Sequence, residues 1–305
     1  MSEGKTQQLK GPGLVAIASL LWATDGLFRV PTVQAIDPIW IVTIEHLIGV
    51  VLLLPWLIWR RPPHLTRLST RQWAAFILIG AGASAAATVL FTAAYRYTNP
   101  SVIILLQKLQ PLLVVLLAVV FLRERPAKGF FLWAALALFA AVGLSAPDLG
   151  TAALREGVEL RSAGVVYAII AASIWALATV IGKRLLGKLS FEVTTFWRFT
   201  IGLLALLILL LAVRSPIPIE ALRQTETWKS LLYIGIFPGL AAMLIYYAGL
   251  KKTPASVTTL VELLFPIAAV ILNAIFLKVR LDLNQMAAGA LLLFAITRIS
   301  LAQEK

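Results

Sequence analysis

Four residues that are unfavourable in hydrocarbon interrupt one of the most apolar stretches of the chain. The segment NPSVIILLQKLQPLLVVLLAVVFL, residues 99–122, has the length of a membrane-crossing helix, yet Gln107, Lys108, Gln110 and Pro111 stand near its centre. A charged side chain at mid-membrane costs about 2.5–3.5 kcal/mol on insertion scales, so such groups face a cavity or one another. A proline there frees a backbone carbonyl that a polar cavity can use. We interpret the three polar residues as candidate substrate-binding residues and Pro111 as a helix break.

The same pattern occurs a second time in residues 254–277, PASVTTLVELLFPIAAVILNAIFL. Here Pro266 takes the place of Pro111, and Glu262 takes the place of Gln107. The repetition predicts that Lys108 and Glu262 lie at similar depth on facing helices. Two interpretations follow: these side chains bind the opposite charges of a substrate, or they neutralise each other within the protein. Glu262 is therefore a further candidate for substrate binding, and Pro266 is a second helix break.

Further candidates come from aromatic residues and their polar neighbours. Trp22, Asp25 and Arg29 are spaced i, i+3 and i+7 and share one helix face. Asp25 and Arg29 can neutralise each other on that face. Trp22 corresponds to Trp175 in the second half of the chain, and both indoles either bind substrate or pack between helices. Tyr246 adds a hydroxyl group to the candidate substrate site.

Three residues are candidates for taking up and releasing protons within the membrane. Glu45 and His46 lie near the middle of the second apolar segment. Adjacent helical residues point about 100° apart, so we expect one of the two to face a cavity. Histidine changes charge near neutral pH, and a buried carboxyl group can do so as well. Glu45, His46 and Asp25 are therefore candidate coupling residues, with a hydrogen-bonding core role as the alternative for His46.

For one arginine, Arg198, the sequence predicts a position at the membrane surface. Arg198 lies close to the end of its apolar segment that is predicted to be cytoplasmic. Long basic side chains near helix ends extend to the membrane surface. We therefore expect Arg198 to reach the surface and to take no part in a site.

The composition is that of an integral membrane protein. Of 305 residues, 60% are hydrophobic and 13% are charged, whereas soluble domains carry about 25% charged residues. Ten apolar runs are each long enough to cross about 30 Å of hydrocarbon as a helix. They occupy residues 12–30, 38–59, 73–95, 100–122, 128–146, 163–184, 191–213, 228–250, 255–277 and 283–301.

The ten runs form two related sets of five. Adding 155 to a position between 73 and 140 gives its counterpart in the second half, so that Gly80 corresponds to Gly235. Upstream the offset is 153, as for Trp22 and Trp175. A polar segment without an apolar run separates the two sets. The predicted units are a first repeat at residues 1–148, a loop at 149–162 and a second repeat at 163–305.

An odd number of crossings inverts the second set relative to the first. With the N-terminus inside, the inner loops of the first half carry seven Lys or Arg residues, whereas the outer loops carry Arg96 and, if it lies at the surface, Arg29. The positive-inside rule then places both termini in the cytoplasm. We predict an all-α integral protein of the bacterial inner membrane with ten transmembrane helices in two inverted five-helix repeats. Inverted repeats are typical of transporters, whose substrate sites lie where the repeats meet.

Several motifs resemble one family. Residues 98–126, TNPSVIILLQKLQPLLVVLLAVVFLRERP, and 252–281, KTPASVTTLVELLFPIAAVILNAIFLKVRL, resemble the fourth and ninth helices of EamA-type carriers in the drug/metabolite transporter superfamily. LLWATDGLF at 20–28 resembles the first helix of that family, and TTFWRFTIGLL at 194–204 its second-helix pattern with a central arginine. The resemblance covers nearly the whole chain. It implies a five-plus-five helix carrier of amino acids, metabolites or drugs.

These observations predict a membrane carrier. We expect secondary-active or facilitative export of small metabolites such as amino acids, by alternating access around a central cavity. A nucleotide-sugar or lipid carrier of the same superfamily is the main alternative. A membrane-embedded enzyme is disfavoured because the chain has two histidines, no cysteine and no H-E-x-x-H or phosphate-loop motif.

The net charge of +13 has a similar explanation. The basic residues fall in short loops between apolar runs, where they set membrane orientation, so we expect no nucleic-acid partner. The predicted partners are a small-molecule substrate and the lipid bilayer. We expect a monomer without a cofactor or a metal ion.

Overall fold

The computed structural model describes residues 2–62, 65, 67–110, 112–113, 116, 129–145, 163–253, 258 and 261–302. All regular structure within these residues is helical. Six helices are long and apolar enough to cross a membrane, and four shorter apolar helices lie within the remaining predicted spans. The prediction of an all-α membrane protein is confirmed at this level.

The principal helices are numbered α1 to α10 in chain order. They are α1 Ser2–Ala35, α2 Pro38–Arg60, α3 Thr70–Ala94, α4 Pro100–Leu109, α5 Phe130–Ser145, α6 Ala163–Leu186, α7 Phe191–Val213, α8 Thr225–Lys252, α9 Leu264–Leu277 and α10 Leu283–Ala302. A single helical turn, Ile219–Leu222, precedes α8. Both α3 and α8 contain a π-helical segment, at Leu78–Ala86 and Gly235–Ala241 respectively.

Capping residues set the ends of α2 and α7 at equivalent positions in the two halves. Asp37 and Ser190 each accept a hydrogen bond from the first turn of the helix that they precede. At the other ends, Arg61 and Arg214 adopt the left-handed conformation with φ of 43° and 49°. The members of each pair are 153 positions apart. The sequence offset therefore also relates the helix boundaries.

Helices of the first half pack against helices of the second half, and equivalent helices change places between the pairs. Helix α1 packs along α8, α6 along α3, α2 along α7 and α5 along α10. Each pair joins a helix of the first half to one of the second. The core of the protein therefore lies between the halves, which places residues from both around one centre.

Two tryptophans form equivalent hydrogen bonds within two of these helix pairs. The indole N–H of Trp22 on α1 donates to the Pro238 carbonyl in the π-helical segment of α8, at 3.0 Å. The indole N–H of Trp175 on α6 donates to the Ala83 carbonyl in the π-helical segment of α3, at 2.8 Å. A π-helical turn departs from the regular i to i−4 hydrogen-bond pattern, which leaves carbonyls open to other donors. The first helix of each half is thus bonded to the third helix of the other.

Helices α2 and α7 cross closely at two glycines. A Cβ atom on Gly49 would stand 2.5 Å from the ring of Phe199, and one on Gly202 would stand 2.8 Å from the ring of His46. The His46 and Phe199 rings also contact each other, with centroids 4.9 Å apart. Small residues permit this close approach between membrane helices. The two ring-on-glycine contacts are reciprocal because Gly49 and Gly202, like His46 and Phe199, are 153 positions apart.

Alanine at Gly49 should destabilise the protein by about 1–3 kcal/mol, because its methyl group would overlap the Phe199 ring. Gly13→Ala on α1 is the control, since no described atom outside its own stretch of helix lies within 4 Å of a Cβ there and alanine favours a helix over glycine. Thermal unfolding of both variants in detergent measures the difference. An unchanged unfolding temperature for Gly49→Ala would contradict the close crossing of α2 and α7.

Candidate substrate site in a central cavity

A cavity of about 170 Å³ lies between the two halves and is lined by residues of α1–α4 and α6–α9. The ten residues that the sequence analysis selected for binding or coupling all lie on its wall. They are Trp22, Asp25, Glu45, His46, Gln107, Lys108, Gln110, Trp175, Tyr246 and Glu262. The structure therefore places all ten residues around one space. Their roles in binding a substrate or in coupling transport to protons are proposals.

The polar residues of the two related segments lie where the helices are interrupted. Residues Gln107–Leu109 form a 3₁₀ turn at the end of α4, and Glu262 lies in the turn that precedes α9. Pro266 is buried in the first turn of α9, where a missing N–H costs no helical hydrogen bond. Pro111 lies outside the described residues. In both halves a polar side chain therefore enters the cavity beside an irregular backbone segment.

One buried arginine holds two carboxylates. The Arg29 guanidinium lies 2.6 Å from Asp25 (Nε to Oδ2) and 2.8 Å from Glu45 (Nη2 to Oε2). It also donates to the Thr92 hydroxyl at 3.1 Å. The ion pair between Asp25 and Arg29 that their spacing allows is present, and Glu45 is an additional partner. With both acids ionised, this Arg29 cluster (Asp25, Arg29 and Glu45) carries one carboxylate more than its guanidinium balances.

A second polar chain runs from α2 through α3 to α7 and α8. His46 Nδ1 lies 2.8 Å from the Val42 carbonyl, and its Nε2 lies 2.8 Å from the Ser84 hydroxyl. A carbonyl only accepts, so Nδ1 carries a proton, and in the neutral imidazole Nε2 then accepts from Ser84. Arg198 donates from Nε to the same hydroxyl at 3.3 Å and from Nη1 to the Tyr247 hydroxyl at 2.9 Å. These hydrogen bonds hold both the imidazole and the guanidinium in place.

Two expectations about these residues are wrong. Arg198 does not reach the surface: it is 8% exposed and lines the cavity. Glu45 and His46 both line the cavity, although adjacent residues point in different directions. Glu45 turns to Arg29 on α1 and His46 turns to Ser84 on α3, so the cavity extends along both sides of α2.

Lys108 and Glu262 face the cavity without touching each other. The Lys108 ammonium lies over the Phe265 ring, 4.9 Å from its centroid, and Glu262 accepts from the Tyr246 hydroxyl at 2.8 Å. Among the described residues, no ion pair within 4.0 Å joins Lys108 to an acid. Lys108 and Glu262 therefore form no direct ion pair, and both side chains line the space between the halves.

Gln110 differs from these charged groups. Its side-chain amide donates to the Thr179 hydroxyl on α6 at 3.0 Å, and that hydroxyl donates in turn to the Trp175 carbonyl at 2.9 Å. These bonds connect α4 to α6 across the cavity wall. Gln110 thus positions the wall as well as lining it.

Aromatic rings form much of the remaining wall and are again arranged in related pairs. Trp22 contacts Tyr246 with ring centroids 5.0 Å apart, and Trp175 contacts Phe91 at 5.2 Å. Tyr246 lies 155 positions after Phe91, so the two contacts are equivalent. Sequence reasoning missed Phe91 because an aromatic residue within an apolar run looks like core. The repeat offset applied to Tyr246 would have identified it.

Comparison with known proteins agrees with this architecture. The chain is 26% identical over 295 residues to the riboflavin transporter ImpX of Fusobacterium nucleatum subsp. nucleatum, covering 96% of this chain and 98% of that protein. It is 25% identical to the uncharacterized transporter YwfM of Bacillus subtilis, covering 95% and 94% of the two chains. A crystal structure of a protein with 21% identity matches with a TM-score of 0.66 and covers 98% of both chains, which supports the fold.

A family model gives the most direct assignment. The model of the EamA-like transporter family matches residues 9–146 and, a second time, residues 162–301. These two matches account for most of the chain and fall on its two halves. The chain therefore belongs to the EamA-like transporter family.

Proposed function

We propose that this transporter is a secondary carrier that exports small amphipathic metabolites, with amino acids as the first substrate class, by alternating access around the central cavity. The observation that carries the proposal is a single cavity whose wall is shared by both halves. Aromatic rings on that wall accept apolar parts of a solute, and a few separated polar groups orient it. The driving force is either an ion gradient or the gradient of the solute itself.

The exchanged contacts support a pair of inverted five-helix repeats, α1–α5 and α6–α10. The Trp22 bond to α8 has its equivalent in the Trp175 bond to α3. Two equivalent units that meet at a midplane site can rock about that site and open it to either side in turn. The basic inner loops of the first half support cytoplasmic termini in a bacterial inner membrane, which a C-terminal reporter fusion would test.

The charged residues on the cavity wall favour a zwitterionic substrate. Lys108 and Glu262 lie in the same cavity without pairing with each other. Each can therefore address one charge of an amino acid, the ammonium binding the solute carboxylate and the carboxylate binding the solute ammonium. The rings of Trp22 and Tyr246 lie beside these groups and can pack against an apolar side chain.

A flavin-like solute is the second candidate. One relative is a riboflavin transporter that matches the chain along almost its whole length. The wall of this cavity includes Trp22, Trp175, Phe91 and Tyr246, and aromatic side chains stack on planar heterocycles. Neither substrate requires a bound cofactor in the carrier.

Purified protein in liposomes should accelerate the exchange of a radiolabelled solute from a panel of amino acids and riboflavin, relative to empty liposomes. An excess of the same unlabelled solute should compete, because one saturable cavity carries the flux. Repeating the assay with and without a pH gradient separates proton-driven from downhill transport. If no small solute moves under any of these conditions, the carrier proposal is wrong.

Lys108→Met and Glu262→Gln should each reduce the flux of the substrate identified in that assay by about tenfold or more, because each removes a charged contact. The protein should remain inserted in the membrane. The double variant should stay inactive, since Lys108 and Glu262 do not neutralise each other directly. Lys229→Met is the control, as Lys229 pairs with Glu226 at an exposed site. Recovery of transport in the double variant would contradict the binding role.

A further inference from the structure

Two buried arginines line the cavity, and their surroundings differ. Arg29 is 3% exposed and binds the carboxylates of Asp25 and Glu45. Arg198 is 8% exposed and donates to two neutral hydroxyl groups, those of Ser84 and Tyr247. In the part of the chain that the structure describes, no carboxylate lies within ion-pair distance of Arg198.

The repeat explains why Arg198 lacks an acidic partner. It lies 153 positions after Glu45 and so occupies the equivalent place on α7. The same offset carries Asp25 to Ala178 and Arg29 to Gly182. In the first half, the three charged side chains bind one another. The equivalent positions of the second half carry the guanidinium of Arg198, the methyl group of Ala178 and the hydrogen atom of Gly182.

The two small residues lie near different parts of the Arg198 surroundings. Ala178 lines the same cavity. A Cβ atom on Gly182 would lie 3.4 Å from the hydroxyl oxygen of Tyr247, the group that accepts from Arg198. The second half therefore has no charged side chain at either position: Ala178 lines the cavity, and Gly182 lies against the Tyr247 ring.

Arg198 is also held in a fixed orientation. Its Nε binds Ser84, whose hydroxyl is committed to His46, and its Nη1 binds Tyr247. A guanidinium has five N–H donors, and within the part of the chain that the structure describes three of them, including both on Nη2, have no acceptor and can bind a ligand. A charge buried in this way is costly unless an opposite charge complements it. The planar fork of an arginine matches the two oxygens of a carboxylate.

We infer that Arg198 is the anchor for a carboxylate group of the transported solute, with Ser84 and Tyr247 as the residues that aim its guanidinium into the cavity. The inference rests on the proposed carrier function and narrows it in two ways. It requires an acidic or zwitterionic solute, and it assigns the solute carboxylate to Arg198 in place of Lys108. Uncharged riboflavin does not meet this requirement.

The test uses benzoate and benzamide, which have similar shape and differ in charge, on the purified protein in detergent. Thermal unfolding at increasing probe concentration gives the apparent affinity of each. Benzoate should bind wild-type protein about tenfold or more tightly than benzamide, because charge-assisted hydrogen bonds are the stronger ones. Arg198→Gln should abolish this preference, and Arg198→Lys should keep part of it because the charge remains while the fork is lost.

The same variants without probe separate binding from structure. Arg198→Gln should unfold at or above the wild-type temperature, since it removes a buried charge without an acidic partner among the described residues. Arg29→Gln should unfold at a lower temperature, since it leaves the carboxylates of Asp25 and Glu45 together. A lower unfolding temperature for Arg198→Gln would assign Arg198 a structural role and overturn the inference.

Two further outcomes would also overturn it. One is equal affinity of wild-type protein for benzoate and benzamide; the other is a benzoate preference that survives Arg198→Gln. Tighter Arg198-dependent binding of phenyl phosphate than of benzoate would reassign the anchor to phosphate esters and so contradict the carboxylate assignment. Flux of solutes in liposomes without any Arg198-dependent preference would leave the carrier function standing while this inference fails.

Discussion

Hydrogen bonding of buried charge is the constraint on which the rest of this structure depends. Ionisable groups within a membrane must be satisfied by the protein or face a water-filled space. Arg29 on α1 meets this requirement by binding Asp25 on its own helix and Glu45 on α2. Arg198 on α7 meets it in part through Ser84 on α3 and Tyr247 on α8. The polar network therefore joins helices of both halves around the cavity.

The contacts between the two halves come in equivalent pairs because the sequence of the first half is repeated in the second, which also places the polar residues at equivalent positions. Trp22 and Trp175 bond to π-helical segments of the opposite half, while His46 and Phe199 each lie on a glycine of the opposite half. Equivalent contacts of similar geometry have similar energy. A movement that loosens one set can therefore be offset by tightening of the other, which is the physical basis for two-sided access in the proposed carrier.

Sequence reasoning located the helices and much of the cavity wall because long apolar runs and isolated polar residues carry strong free-energy differences in a membrane. Lys108 and Glu262 stood out for this reason. The burial of Arg198 in the cavity wall was not predictable, because a basic residue near a helix end also fits a position at the surface. The second carboxylate partner of Arg29, Glu45, and the absence of a direct Lys108–Glu262 bond depend on side-chain directions across different helices, which the sequence pattern does not specify.

The most direct test of alternating access uses the absence of cysteine from the chain. Met243 lines the cavity, so Met243→Cys can be labelled with a water-soluble, membrane-impermeant thiol reagent applied from one side at a time. Leu211→Cys is the control, since Leu211 on α7 is 79% exposed on an apolar surface that faces lipid in the proposed arrangement. The account predicts that Met243→Cys reacts from both sides of the membrane while Leu211→Cys reacts from neither. Reaction of Met243→Cys from one side alone, or from neither, would contradict a cavity that opens to both.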